Sequence, residues 1–189
     1  GVVADAFHAP PGRDEPVGLI HTLTMQLLLS YVDTGLVCPV SMTAGAALVL
    51  RNHDAAGELD DYFSALTSRS ADSLEEGAMF LTEEQGGSDV GANETVAEPA
   101  DTVDRAAEES APTAAARRDG GTVAPRTYEL TGEKWFCSNV DAEGTLALAR
   151  RPDAPAGTKG LSLFLVPHET RDGELNDQLY RRLKDKLGT

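Results

Sequence analysis

The spacing of apolar residues changes at about Gly77, and that change limits the fold more than any other feature of the chain. Before it, apolar residues recur at helical intervals; after it, short β-forming runs alternate with turn residues. Residues 17–31 read as a helix with Leu19, Leu23, Leu27 and Val32 towards one side, apolar enough all round to sit inside a helical layer. Pro39 marks a break over Val37–Val40, and a second helix follows Ser41 through MTAGAALVLRN, whose small residues suit close packing. Glu58–Ser68 supplies a third, with Leu59, Tyr62, Phe63 and Leu66 as its apolar stripe. Residues 1–16, with Pro10, Pro11 and Pro16, read as extended chain or loop.

Past Gly77 the expected strands are Ala78–Thr82, Thr95–Glu98, Thr127–Thr131, Lys134–Ser138, Thr145–Ala149 and Leu161–Val166. Each is bounded by turn residues, the signature of an antiparallel sheet or barrel. Leu179–Leu187 fits a strand or a short helix equally. Residues 98–126 hold no large apolar side chain except Val103 and Val123, too little to offset the entropy of ordering, so a flexible acidic insertion is expected there. The fold class expected is therefore α+β: an N-terminal all-α helical layer over 1–76, then an incomplete antiparallel β-barrel-like middle domain over 77–189.

Charge narrows the partners. Thirty-one Asp and Glu against sixteen Lys and Arg give a net charge of −15, a surface that repels phosphate backbones and argues against nucleic-acid binding by this chain. Only Lys134, Lys159, Lys184 and Lys186 are lysines. An acidic, lysine-poor chain suits work in high salt, where self-repulsion is screened, and suits equally an acidic protein from a GC-rich genome. Cys38 and Cys137 lie far apart in apolar surroundings and read as buried free thiols, in keeping with a reducing cytoplasm. No basic-then-apolar leader opens the sequence and no run of about 18 apolar residues occurs, so no membrane association is expected. The start at Gly1 and the stop at Thr189 in mid-pattern suggest a piece of a longer protein.

Two motifs carry the chemistry. MFLTEEQGGSD (Met79–Asp89) reads as a strand delivering a threonine, two carboxylates and a glycine-rich turn; GEKWFCSN (Gly132–Asn139) reads as a strand with adjacent aromatics and a hydroxyl. The exposed amides of Gly86-Gly87-Ser88 suit an anion, but the pattern is neither GxGxxG nor a P-loop. Glu83 and Glu84, two carboxylates at a strand end, read as solvated or capping groups. Strand alternation would turn Trp135 and Phe136 to opposite faces.

Together with GLSLFLVP and the RRLKDKLGT tail, these motifs resemble the acyl-CoA dehydrogenase family of flavoproteins, nearest its alkylation-response (AidB-like) branch. The resemblance implies FAD as cofactor. Leu81 and Thr82 would meet the flavin pyrimidine edge, Gly87 and Ser88 the pyrophosphate, and Ser88 also the acyl-CoA entrance. Phe136 stands where many members have a flavin-packing Trp, and Ser138 matches the hydroxyl that reaches flavin N5 or O4. The implied reaction is α,β-dehydrogenation of an acyl-CoA thioester with hydride transfer to flavin N5. The implied partners are an electron acceptor such as an electron-transfer flavoprotein and, for the full-length protein, further copies of itself. The general base belongs to a C-terminal helical domain outside these 189 residues, so no catalytic residue is assigned here. Two departures, Thr82-Glu83-Glu84 for the common TEP and Phe136 for the Trp, favour the alkylation-response branch. They leave open a non-catalytic flavin-binding or interaction protein and an inactive truncated remnant. His8, His21, His53 and His168 are isolated, and neither HExxH nor GxSxG occurs, so no metal site or hydrolase elbow is expected.

Overall fold

The computed structural model describes residues 1–54, 57–100, 127–170 and 173–185. Three α-helices precede Gly77: α1 (Leu19–Ser30), α2 (Thr34–His53) and α3 (Asp60–Leu66). Among the described residues five strands follow: β1 (Gly77–Phe80), β2 (Val96–Pro99), β3 (Tyr128–Thr131), β4 (Gly144–Arg150) and β5 (Leu161–Pro167). The chain adopts the expected α+β class.

β4 organises the sheet, since GTLALAR is buried over most of its length. One edge pairs antiparallel with β5, from Gly144 opposite Pro167 to Arg150 opposite Leu161. The other pairs parallel with β1, from Gly77 opposite Gly144 to Phe80 opposite Ala147, and then at Arg150 with Val96 of β2. β3 lies antiparallel to β2. The expected antiparallel barrel is corrected in this respect: the sheet is mixed and does not close among the described residues. β1 and β4 run the same way because β2 and β3 intervene in sequence, so no hairpin reverses the chain between them.

Helices and sheet share a core of Ala46, Ala47, Leu50, Leu66 and Leu146, flanked by Phe7, Phe63, Met79 and Leu165. Close approach of α2 to β1 depends on small residues: a Cβ added at Gly77 would lie 3.0 Å from the Ala46 Cβ. Thr43 joins the two elements, accepting the Gly77 N–H at 3.0 Å while its hydroxyl donates to the Pro39 carbonyl at 2.8 Å.

Several expectations need correcting. The helix foreseen after Ser41 begins at Thr34, because Asp33 caps it by accepting the Gly35 N–H at 2.7 Å. Pro39 sits inside that helix and forfeits one early backbone bond without breaking it. By length and composition alone α2 would pass as a membrane-crossing helix, although no unbroken run of about 18 apolar residues occurs in it. α1 buries Thr22 and Gln26 against its neighbours and leaves Leu19, Leu23 and Leu27 exposed, as is Val32 just past its end, the reverse of the expected packing. Both thiols are free, but Cys38 is exposed and Cys137 half-buried. Glu98 belongs to β2, as the expected strand Thr95–Glu98 had it, and Pro99, assigned to the insertion, belongs there too; residues 101–126 of that insertion lie outside the described residues. Leu179–Asp185 forms neither helix nor strand, and the tail from Lys186 on is likewise outside them.

Candidate functional site

The two sequence motifs meet just beyond the end of β1. That strand stops at Phe80, so Leu81 and Thr82 follow it as irregular chain, and the Thr82 carbonyl accepts the Trp135 N–H at 2.8 Å. A tight turn comes next, closed by the Gly86 N–H donating to the Glu83 carbonyl at 3.0 Å. Gly86 adopts φ 137°, a conformation that favours glycine. Gly87 is constrained differently, because a Cβ there would come within 2.6 Å of Thr82 Oγ1. The glycine turn is thus folded back onto the threonine, with Ser88 exposed beside it.

The strand expected over Lys134–Ser138 does not form. Phe136 and Asn139 take left-handed φ values of 56° and 59°, which breaks the alternation of side chains and makes the segment a coiled loop. Trp135 and Phe136 therefore do not alternate across a strand; their rings meet edge to face at 6.1 Å, with Trp135 half-buried and Phe136 65% exposed. Ser138 is exposed on the same loop. Lys184 places its Nζ 4.5 Å from the centre of the Phe136 ring, and Arg181 pairs with Glu133 at 3.1 Å, so basic side chains of the tail lie against this loop.

Glu83 is the centre of the arrangement and the residue sequence reasoning misjudged. It is 4% exposed, neither solvated nor capping a helix. Its Oε1 accepts from Lys134 Nζ at 2.7 Å, the Thr95 N–H at 3.1 Å and the Thr95 hydroxyl. Its Oε2 accepts from the Glu94 N–H at 2.6 Å and Gln85 Nε2 at 3.0 Å. Burial by itself raises the carboxyl, but the Glu94 amide, Lys134, Thr95 and Gln85 outweigh it and hold the group at about 2. Burial pushes the Lys134 ammonium below its ordinary value, against the pull of Glu83, and pushes the Cys137 thiol up. The one available signal was composition: a rare lysine directly before Trp135.

Whether these residues fit a flavin can be judged from their donors. Trp135 Nε1 and Asn139 Nδ2 are buried without a hydrogen-bond partner, and both sit on the loop that carries Phe136 and Ser138. Orphaned donors, an exposed ring and a glycine turn without side chains are what a planar, polar-edged ligand uses. A nearby depression of about 520 Å³ is a separate feature. It is lined by Glu83, Glu84, Glu94, Glu98, Glu133 and Trp135 among others, and by none of Leu81, Thr82, Gly87, Ser88, Phe136 or Ser138. Its acidity suits neither a pyrophosphate nor a CoA. Among the described residues no three His, Cys, Asp or Glu side chains gather as metal ligands.

A family model described as acyl-CoA dehydrogenase, middle domain, matches residues 78–189. Acyl-CoA dehydrogenase family member 11 of Caenorhabditis elegans is 35% identical over 185 residues, 93% of this chain and 26% of its own length. AidB of Escherichia coli (strain K12) is 34% identical over 170 residues, 86% of this chain and again 26% of its length. The solved structure of C. elegans ACDH-11 in complex with C11-CoA matches all of this chain and 29% of its own, with a TM-score of 0.77 and 31% identity. The chain thus spans about a quarter of the curated relatives it matches.

Proposed function

The chain belongs to the acyl-CoA dehydrogenase family, and from that premise we propose that it builds part of the flavin site of an FAD-dependent oxidoreductase acting on an acyl-CoA thioester. The observation that carries the reading is the Trp135 N–H to Thr82 carbonyl bond, which joins the two motifs at one place. In this reading Leu81 and Thr82 hold the pyrimidine edge, Gly87 and Ser88 the pyrophosphate, Phe136 a face of the ring and Ser138 its reactive edge; Ser88 also borders the acyl-CoA entrance. FAD bound there supplies the hydride acceptor. The chain's own part is to bind, orient and exclude water.

Glu83 is not the base. Five donors already occupy its oxygens, and a carboxylate held at about 2 is a poor proton acceptor at neutral pH. The base comes from elsewhere in the full-length protein, which we also take to be cytoplasmic, oligomeric and served by an electron acceptor such as an electron-transfer flavoprotein.

The test is made on the full-length protein that carries this chain. It should purify with bound FAD, and its visible flavin band should bleach when acyl-CoA thioesters of graded length are added without oxygen. Absence of flavin overturns the site. Flavin that no thioester bleaches favours the second reading, a non-catalytic flavoprotein.

A further inference from the structure

We propose that the buried Glu83–Lys134 pair is a positioning latch that sets the two halves of the flavin site against each other and thereby controls flavin affinity. The inference rests on the functional reading above, and it assigns to these two side chains no contact with flavin or substrate.

Thr82 and Glu83 are neighbours in sequence, as are Lys134 and Trp135, and the two dipeptides are joined twice: by the backbone bond from Trp135 to Thr82 and by the Lys134–Glu83 ion pair at 2.7 Å. The Glu83 carboxylate also gathers the Glu94 and Thr95 amides at the entry to β2, while Gln85 bridges it to the Ala92 carbonyl. A single carboxylate therefore closes the whole 83–95 loop. Every candidate flavin residue lies next to one of the gathered segments: Leu81 and Thr82 before Glu83, Gly87 and Ser88 inside the loop, Phe136 and Ser138 just past Lys134.

Stability alone does not require a charged pair here. Glu83 is 4% and Lys134 10% exposed, and a buried ion pair contributes little net stability beyond what apolar side chains of similar volume would give. What it does supply is one defined geometry. Phe136, two residues from Lys134, holds a left-handed φ of 56°, a strained state that persists only where its surroundings over-determine it.

The experiment uses the full-length protein with Lys134→Met, Lys134→Arg and, as a control for general destabilisation, Thr43→Val at the α2–β1 junction. FAD dissociation constants and the shape of the visible flavin band are measured, with hydrogen–deuterium exchange on the flavin-free protein. Lys134→Met should weaken FAD binding by about tenfold or more, alter the flavin band, and raise exchange together in peptides over 82–88 and 133–139. Lys134→Arg should keep affinity within about threefold, and Thr43→Val within about twofold. Lys134→Met binding FAD as tightly as wild type, with an unchanged band, overturns the latch. So does an affinity loss matched by Thr43→Val. If Lys134→Met does not fold, Lys134→Arg decides: a tenfold loss of affinity without a change in exchange overturns the proposal. Wild-type protein that binds no FAD defeats the functional reading itself, which separates the two failures.

Discussion

A carboxyl held at about 2 inside the protein, against an ordinary 4.5, ties Glu83 to stability as well as to geometry. Its folded-state value is depressed, so the stability it contributes is fully present above about pH 4.5 and is lost as pH falls through about 2. The size is on the order of 3 kcal/mol. Urea unfolding between pH 5 and pH 2 should show that loss, and Glu83→Gln should flatten the slope in the same window while lowering stability at pH 7; an unaltered slope would show that other carboxylates drive acid unfolding. The residue scale also shows what sequence could reach. TEEQGGSD and KWFCSN were legible as a pair because their residue types are rare in that order, and they do meet at Thr82 and Trp135. Glu83 was not, since its environment is made by Lys134, 51 residues away, and by amides at the start of β2. Nothing local to Glu83 announces that burial.

At the level of elements, the strands with alternating or fully apolar character were legible, β4 and β5 almost to the residue. The failures have two causes, local hydrogen bonds that offset a residue's usual preference and long-range contacts that override a local pattern. Pro39 reads as a break, yet Asp33 caps the helix upstream of it and the Thr43 hydroxyl donates to its carbonyl, so α2 runs through. Lys134–Ser138 reads as a strand, yet Phe136 takes a left-handed φ of 56° and Lys134 is drawn to Glu83, 51 residues away, so the segment is a loop. Thr43 gives the prediction at this scale. Thr43→Val keeps the shape but removes the acceptor of the buried Gly77 N–H, and should cost about 1–3 kcal/mol in urea unfolding with no change in the denaturant slope. Thr43→Ser, which retains the hydroxyl, should recover most of that. A valine variant as stable as wild type would mean that packing of Gly77 on Ala46, rather than the hydrogen bond, fixes the helix to the sheet.

For the whole molecule the dominant quantity is the net charge of −15. The exposed ion pairs Arg69–Asp5, Arg151–Asp153 and Arg181–Glu133 offset little of it, each being worth about 0–1 kcal/mol at the surface. Salt therefore acts in two opposed ways: it weakens these few pairs and relieves repulsion among the many unmatched carboxylates. With 31 acidic against 16 basic residues, relief should win. The screening length falls from about 10 Å at 0.1 M to about 3 Å at 1 M, shorter than the spacing of most surface charges. Stability in urea should then rise by on the order of 1–2 kcal/mol over that range of NaCl. The exposed apolar residues of α1 complicate the reading, because salt also strengthens apolar association. The two effects differ in form: screening levels off once the screening length is short, whereas salting-out keeps growing with concentration. A gain that saturates, and shrinks when exposed Asp and Glu are replaced by Asn and Gln, would identify adaptation to salt in the charge itself. A flat response would leave the acidity as a matter of composition, and a purely linear one would point to the apolar face of α1 as the salt-sensitive surface.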